Sequence, residues 1–271
     1  MIEGNTSFVF PFFISWEMQN GLINLPIVPL REKPEHQSQQ VSQLLFGEGF
    51  QVLEKQDQWQ KIQTENDSYI GWMQLSQGIL VEADFYKAYL QKDVQLTHEP
   101  VTVIRRNDNY SLLHLPAGCR LAGVAEDKFT VGEITFELLH SVAFKKNKLI
   151  KYANNFLNTP YLWGGRTHFG IDCSGFAQIV YRLHGFQLKR DAWQQAEQGE
   201  PVDFLQHTLP GDLAFFDNDE GRIVHVGIML DAERIIHASG YVKIDRIDTK
   251  GIYDVAQKKY THQLRIIKRY F

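Results

Sequence analysis

Residues 159–176 read TPYLWGGRTHFGIDCSGF, a Gly-rich loop that runs into a helix at a single cysteine, Cys173. Unpaired backbone N–H groups and the positive end of the helix dipole meet at a helix N-terminus, and both favour a thiolate over a thiol. Because the thiolate is the nucleophilic form of cysteine, this stretch predicts a reactive Cys173. We expect the remaining chain to supply partners for this thiol or to select its substrate.

The composition predicts a soluble globular protein with a sizeable core. The chain has 271 residues, 44% of them apolar, which is enough for two or three domains. A net charge of −4 gives no reason to expect nucleic acid or an anionic membrane as a partner. The two cysteines, Cys119 and Cys173, lie far apart, which disfavours a structural disulfide and favours a reducing compartment.

One apolar stretch near the N-terminus, residues 7–16, resembles the core of a secretion signal. However, Glu3 stands where a basic region is needed, Pro11 interrupts the run, and no basic residue precedes Arg31. The stretch is also shorter than the roughly 20 apolar residues of a membrane-spanning helix. We therefore expect a cytoplasmic protein, with a periplasmic or extracellular location as the alternative if a leader was removed before numbering began.

Residues 20–80 alternate short β-like runs with turn residues, which predicts a small antiparallel barrel. The runs cover residues 27–31, 41–46, 50–54, 59–63 and 69–75. The pattern resembles bacterial SH3-like domains, and the sequence Gly71-Trp72-Met73 is its most specific mark. Another kind of small β-barrel stays an alternative. We assign residues 1–80 to an N-terminal segment and this first SH3-like domain.

Residues 81–142 are predicted to form a connecting helix and a second, more diverged SH3-like barrel. Helix formers and aromatic residues four positions apart predict the helix over 82–90. Turn residues then separate β-like runs at 101–105, 111–115, 121–124 and 134–138. The Gly-Trp-Met mark has no counterpart here, so the sequence contains no strong internal repeat.

The composition changes again in residues 143–271, which predict an α+β domain. A helical pattern begins near 144 and carries one apolar face: Leu149, Ile150, Ala153, Phe156 and Leu157. A second helix is expected from Cys173, with Asp172 as its N-cap, to Gly185. A short third helix covers 192–198, and antiparallel strands are predicted at 213–216, 224–230, 234–237, 242–247 and 264–268.

A weakly acidic thiol needs a base, and the base needs a group that orients its ring. His225 lies in an apolar strand 52 positions after Cys173, and His237 lies in the next β-like run. If these runs form a hairpin, both imidazoles occupy one sheet face, because their separation of 12 residues is even. Each histidine alone is more often structural. One Cys with two His also suits zinc, but the usual close ligand pairs are missing.

Five ordered segments bring these residues together: PYLWGG (160–165), IDCSGF (171–176), LPGDL (209–213), HVGI (225–228) and HA (237–238). This set resembles the NlpC-type cysteine peptidases of bacterial cell-wall metabolism, a reduced papain-like fold, over about residues 145–271. The resemblance implies Cys173 as nucleophile, His225 as general base and His237 as the residue that orients His225. It also implies that Tyr161 and the Cys173 N–H stabilise the oxyanion of the tetrahedral intermediate.

Two SH3-like domains before such a peptidase are similar to the dipeptidyl-peptidase VI (YkfC-like) group. This resemblance implies hydrolysis of γ-D-glutamyl–diamino-acid bonds in free murein peptides that begin with L-Ala, without a metal or another cofactor. A buried acidic group would then meet the ammonium of the substrate. The pocket positions that the resemblance implies are Tyr69, sent over the pocket by the first SH3-like domain, Trp163, Asp172, Ser174 and Asp191.

Two of these positions have simpler explanations, and two departures from the group matter. Asp191 is also placed to cap a helix that begins at Ala192, and Tyr69 suits the surface of a barrel. Ala192 stands where the group often has Ser, so a hydroxyl is lost. The segment 38–41 reads SQQV, where relatives carry an acidic residue. The candidate substitutes for that acid are Glu32 and Glu35.

The sequence thus predicts a cysteine peptidase whose partner is a small murein peptide, L-Ala-γ-D-Glu-diamino acid. It does not determine the oligomeric state, for which a monomer is the default expectation. The diamino acid is either diaminopimelate or lysine. An amidase or acyltransferase that acts on another amide is one alternative, because papain-like folds support both reactions. The other alternative is a non-catalytic protein that binds the cell wall through its SH3-like domains.

Overall fold

The computed structural model describes residues 19–140 and 148–271. The apolar stretch at 7–16 and the predicted start of a helix at 144–147 therefore lie outside the described residues. Within the described ranges, no helix is both long and apolar enough to cross a membrane.

The first β domain is an antiparallel sheet with the strand order β3-β2-β6-β5-β4-β1-β7. Its strands are β1 (Asn20–Leu22), β2 (Ile27–Arg31), β3 (Gln40–Leu45), β4 (Gly49–Gln56), β5 (Trp59–Thr64), β6 (Ile70–Gln74) and β7 (Ile79–Val81). Each predicted run between residues 27 and 75 is a strand, whereas the short outer strands β1 and β7 were not predicted. Alternate residues such as Val28, Leu30, Phe50, Val52 and Ile62 fill a separate small core.

A helix and a second β region follow. The helix α1 (Ala83–Gln91) confirms the predicted connection and buries Tyr86 and Tyr89. The strands are β8 (Val94–Leu96), β9 (Thr102–Arg106), β10 (Leu112–Leu115), β11 (Arg120–Ala122), β12 (Lys128–Val131) and β13 (Ile134–Leu138). They form a four-stranded sheet, β10-β9-β13-β12, and a separate ribbon, β11-β8. The assignment of this region as a second SH3-like barrel stays a prediction.

The C-terminal domain (148–271) confirms the predicted order of helices followed by an antiparallel meander. Its helices are α2 (Leu149–Asn155), α3 (Cys173–His184) and α4 (Ala192–Ala196). Its strands are β14 (Arg166–Thr167), β15 (Gly170–Ile171), β16 (Glu200–Pro201), β17 (Leu213–Asp217), β18 (Ile223–Met229), β19 (Arg234–Ser239), β20 (Tyr241–Asp248), β21 (Gly251–Asp254) and β22 (Lys259–Arg269). The strands β17 to β22 close into a barrel, because β21 also pairs with β22.

Two helix predictions need correction. Leu157 was placed on the buried face of the first helix of this domain, but that helix ends at Asn155 and Leu157 is exposed. The predicted end of the third helix at residue 198 is two residues too late. Closure of the barrel was also missed, because β21 was not predicted.

One hydrophobic cluster joins the three regions. It contains Phe46 of the first β domain, Phe136 of the second β region, and Phe176, Ile179 and Val226 of the C-terminal domain. Since α3 carries Cys173 and lies in this shared core, the cysteine is held by packing from all three regions.

Candidate active site

Helix α3 begins at Cys173 because Asp172 caps it. The Asp172 carboxylate accepts hydrogen bonds from the backbone N–H of Gly175 at 2.6 Å and of Gly164 at 2.8 Å. The helix is almost entirely buried and ends at Gly185, whose φ of 99° is the left-handed conformation that glycine adopts without strain. The N-cap, the start and the end of this helix are as predicted from the sequence.

The loop before the helix lies directly against the first β domain. Gly164 has a φ of 73°, and a Cβ atom at this position would lie 2.7 Å from the carbonyl oxygen of Gln40. The Gln40 amide also donates to the carbonyl oxygen of Trp163 at 3.1 Å. Glycine is therefore required where the loop approaches strand β3, and the contact fixes the loop that carries Tyr161 and Trp163.

The two predicted histidines meet on one face of the C-terminal barrel. His225 on β18 and His237 on β19 are both buried, and the strands pair so that Gly227 lies opposite His237. The Nε2 atom of His225 and the Nδ1 atom of His237 are 2.9 Å apart. The hairpin and the shared face, both predicted from period-2 spacing, are confirmed.

Three residues next to these histidines were missed. The Asp245 carboxylate on β20 lies 3.0 Å from Nε2 of His237, and the Lys243 ammonium lies 2.9 Å from the same carboxylate oxygen. His262 on β22 stacks on His225 with 4.1 Å between ring centroids. His237 pairs with Lys243, so residues 243 and 245 lie on the same sheet face as the histidines. Their even separation from His237 in the sequence is the signal that could have indicated Lys243 and Asp245.

The thiol of Cys173 is less acidic than the sequence suggested. Burial first, and then the Asp172 carboxylate, raise the pKa of Cys173 to about 12, although the N–H groups of Val226 and Ser174 oppose this shift. The expectation that the helix N-terminus makes thiolate the favoured form is therefore wrong for the free protein. Burial lowers the pKa of His225 well below its usual value and also lowers that of His237. The two shifts favour the thiol form of Cys173 and the neutral form of His225.

The histidines are also the described residues that come closest to a metal site. The ligating atoms of His225, His237 and His262 lie within 4.8 Å of one another, whereas Cys173 is not part of this group. Both nitrogens of His237 already have hydrogen-bond partners, namely His225 and Asp245. These contacts form a hydrogen-bonded chain, the histidine relay, from His225 through His237 to Asp245.

A cavity of about 300 Å³ opens beside Cys173. All five predicted substrate residues line it together with the predicted oxyanion residue: Tyr69, Trp163, Asp172, Ser174, Asp191 and Tyr161. Ala192 also lines it, so the hydroxyl lost there would have faced the substrate. This volume is at the lower end of the range for small-molecule sites, which suits a short peptide.

The first β domain forms one wall of the cavity. Among the described residues, its contributions are Gln39, Val41 and Tyr69, which carry no formal charge. Glu32 and Glu35 are exposed and are not part of the lining. The acid that relatives were expected to carry in this domain therefore has no substitute in the wall formed by Gln39, Val41 and Tyr69.

The cavity nevertheless carries a net negative charge. Its charged lining residues are Asp172, Arg190 and Asp191, two carboxylates against one guanidinium, which gives a formal charge of −1. Arg190 is buried and bonds both oxygens of Asp172, at 3.1 and 2.6 Å. Asp191 is left to face the cavity, where its carboxylate accepts a 3.3 Å hydrogen bond from the Tyr69 hydroxyl. Burial raises the pKa of Asp191, so a bound cation would be needed to balance its charge.

Buried polar contacts hold the two walls of the cavity together. Glu48 of the first β domain bonds Arg166 at 3.1 Å and Arg182 at 2.7 Å. Nearer the cavity, Arg190 donates to the Ser42 hydroxyl at 2.9 Å. Sequence reasoning missed these contacts, since each joins residues that are more than 100 positions apart.

Comparison with known proteins adds two family matches. The model of the NlpC/P60 family matches residues 158–265, and the model of the bacterial dipeptidyl-peptidase Sh3 domain matches residues 30–77. These ranges contain Cys173, both histidines of the relay and Tyr69.

Relatives extend the likeness over most of the chain. A gamma-D-glutamyl-L-lysine dipeptidyl-peptidase of Bacillus subtilis (strain 168) is 30% identical over 216 residues, which are 73% of this chain and 71% of the relative. Dipeptidyl-peptidase 6 of Lysinibacillus sphaericus is 25% identical over 248 residues, 81% of this chain and 88% of the relative. The crystal structure of an NlpC/P60 family protein from Bacillus cereus has a TM-score of 0.78 at 22% identity and covers 93% of this chain and 99% of its own, which shows the shared fold.

Proposed function

Because the chain belongs to the NlpC/P60 family of cysteine peptidases, we propose that it cleaves the bond after γ-D-Glu in free murein peptides, L-Ala-γ-D-Glu-diamino acid. The observation that carries this proposal is the small cavity beside Cys173 with one unbalanced carboxylate, Asp191. A cavity of this charge and size suits a short peptide with a free ammonium group.

The chemistry follows from the resting pair of thiol and neutral imidazole. His225 takes the thiol proton as the Cys173 sulfur attacks the carbonyl carbon, which forms a tetrahedral intermediate. The Cys173 N–H and the Tyr161 hydroxyl are the donors for its oxyanion. When the intermediate collapses, the protonated His225 gives its proton to the leaving amine of the diamino acid. Water then hydrolyses the thioester with His225 again as base.

The choice of substrate rests on the opposite wall of the cavity. The L-Ala ammonium would pair with Asp191, which already accepts a hydrogen bond from Tyr69. A peptide still joined to sugar through this nitrogen is an amide without the positive charge. Such a substrate would leave the half-buried Asp191 carboxylate without a cationic partner, which typically costs about 2 kcal/mol or more in binding.

The test compares the free tripeptide L-Ala-γ-D-Glu-diaminopimelate and its lysine analogue with their N-acetylated forms. We expect N-acetylation to lower kcat/KM about 30-fold or more, the loss that corresponds to a half-buried carboxylate without its cationic partner. Released diamino acid is quantified by mass spectrometry, with addition of an amine acceptor to separate hydrolysis from acyl transfer. Equal cleavage of the free and acetylated peptides would reject the proposed recognition of the ammonium.

A further inference from the structure

We propose that Asp245 is a positioning residue that makes Nδ1 of His225 the nitrogen that takes the proton of Cys173. Lys243 opposes Asp245 in setting the basicity of the pair formed by His225 and His237. The inference deepens the proposed function, since it concerns the same nucleophile. It requires only that His225 takes the Cys173 proton as the sulfur attacks, and it is therefore testable with an alkylating reagent in place of the murein substrate.

The first step is the protonation of His237. An ionised carboxylate only accepts hydrogen bonds, so the 3.0 Å contact with Asp245 requires a proton on Nε2 of His237. A neutral imidazole carries one proton, which leaves Nδ1 of His237 as an acceptor. Asp245 therefore determines which ring nitrogen of His237 accepts a hydrogen bond.

The second step transfers this choice to His225. Its Nε2 atom lies 2.9 Å from Nδ1 of His237 and has to donate in that contact. The lone pair of His225 then lies on Nδ1, the ring nitrogen that does not contact His237. The Val226 N–H, one residue after His225, hydrogen-bonds the Cys173 sulfur, so the strand that carries the base is in contact with the thiol.

The opposite arrangement of protons would be inactive. If His237 carried its proton on Nδ1, Nε2 of His225 would accept and Nδ1 of His225 would bear a hydrogen. A nitrogen that already bears a hydrogen cannot take the thiol proton from Cys173. Asp245 excludes this state because its carboxylate has no hydrogen to offer Nε2 of His237.

Lys243 and Asp245 act on the histidines in opposite directions. The Asp245 carboxylate raises the pKa of His237, and the Lys243 ammonium, bound to the same carboxylate oxygen, lowers it. Asp254 on β21 binds Lys243 at 3.0 Å and raises the pKa of His237 as a weaker contribution. The other histidine that faces the pair is His262 on β22. Burial lowers the pKa of His262 to about 4, which keeps it neutral.

The experiment measures alkylation of Cys173 by iodoacetamide between about pH 5 and 9, with peptide mass mapping to separate it from Cys119. In Asp245→Asn the amide can donate to His237 and stabilise the inactive arrangement. We expect the maximal alkylation rate and kcat to fall at least about 100-fold, with KM within about threefold, since the corresponding tautomer effect in Ser-His-Asp triads, where the carboxylate contacts the base directly, is about 10⁴-fold. The acid limb of the profile should move to lower pH.

Two further variants test the direction in which each charge moves the acid limb of the alkylation profile. Lys243→Gln removes the opposing positive charge, so the acid limb should move to higher pH. Asp254→Asn is the matched control, because it removes a carboxylate from Lys243 while the contact between His237 and Asp245 stays intact. Its limb should move least. If Asp245→Asn does not fold, the test rests on Lys243→Gln alone. An acid limb that does not move in Lys243→Gln then overturns the proposal.

Two different results separate the role of Asp245 from the identity of the substrate. A wild-type protein that cleaves the tripeptide, with Asp245→Asn unchanged in rate and profile, overturns only the role of Asp245. A wild-type protein that leaves the tripeptide intact, yet whose variants shift the alkylation profile in the expected directions, overturns only the substrate.

Discussion

The protein contains two buried thiols in regions that differ mainly in what surrounds them. Burial raises the pKa of Cys119 and of Cys173 to about 12 in both cases. Cys119 is fully buried in the second β region, where its backbone N–H donates to Thr97 and its sulfur lies 4.0 Å from the carbonyl oxygen of Pro26. Cys173 is slightly exposed, at 7%, and lines the cavity beside the histidine relay.

The pKa at rest does not distinguish the reactive thiol of Cys173 from the inert thiol of Cys119. Cys119 is packed in the shared core and does not line the cavity beside Cys173. Cys173 has a base on the neighbouring strand and space for a carbonyl group. The reactivity of Cys173 therefore arises when His225 takes its proton during attack.

The largest expected effect removes one thiol at a time. Cys173→Ala should lower kcat/KM for the tripeptide by about 10⁴-fold or more, as loss of a nucleophile does in related triads. Cys119→Ala should keep kcat/KM within about twofold and cost about 1–2 kcal/mol in the free energy of unfolding, because it leaves a small cavity in the core. Steady-state kinetics and urea unfolding measure both. Wild-type rates in Cys173→Ala would end the assignment of the nucleophile.

The next prediction concerns the ion cluster that lies near Cys119. Glu48→Gln would leave Arg166 and Arg182 buried without their carboxylate, and breaking such a buried pair typically costs about 3–5 kcal/mol. The matched control is Glu54→Gln, since Glu54 pairs with Lys61 at 4.0 Å in an exposed position. The control should change the free energy of unfolding by less than about 0.5 kcal/mol. Equal urea midpoints for the two variants would contradict the structural role of Glu48.

The third prediction distinguishes effects on substrate binding from effects on the reactivity of Cys173. Asp191→Asn should lower kcat/KM for the free tripeptide about 100-fold through loss of the charged partner, and should abolish discrimination against the N-acetylated peptide. Tyr69→Phe removes only the 3.3 Å hydrogen bond to Asp191, so a loss of about 3–10-fold is expected. Alkylation of Cys173 should be unchanged in both. Glu35→Gln, at an exposed position outside the cavity, is the control.

The smallest expected effect tests a histidine that is not part of the relay. His168 stacks on Phe156 with 3.6 Å between centroids, and within the described part of the chain neither of its ring nitrogens has a hydrogen-bond partner. Burial lowers the pKa of His168 to about 4. Between this value and the ordinary value near 6.5, the unfolded chain binds the proton more readily, so stability is lost as the pH falls below 6.5.

We therefore expect His168→Phe to increase the free energy of unfolding on the order of 1–2 kcal/mol at pH 5, relative to wild type, and much less at pH 8. Urea unfolding at the two pH values measures the difference, and kcat/KM at pH 8 should stay within about twofold. An equal effect at both pH values would show that titration of His168 does not contribute to acid destabilisation.

Local rules predicted the parts of the site that local sequence determines. The N-cap at Asp172 and the C-cap at Gly185 defined helix α3, and even spacing placed His225 and His237 on one face. The first β domain was predictable for the same reason, since short alternating runs between turn residues define strands. The prediction of all five cavity residues came from family resemblance, because their positions are spread over 122 residues.

The remaining features depend on which distant segments meet. Asp245 required the register of a third strand, and Glu48 required knowledge that the first β domain packs against α3. The pKa of Cys173 was misjudged because a helix N-terminus is visible in sequence, whereas the burial that outweighs it is not. Long-range packing, rather than local propensity, determined each of these features.

The ion cluster around Glu48 has a consequence for engineering by domain exchange. Its carboxylate bonds Arg182 on the helix that begins with the nucleophile, and the same β domain supplies Tyr69 to the cavity. A barrel transplanted from another protein to alter specificity would need an acid at the position of Glu48 as well as a new residue at Tyr69. A change of substrate specificity through the first β domain therefore also requires that the ion pairs between this domain and helix α3 are kept.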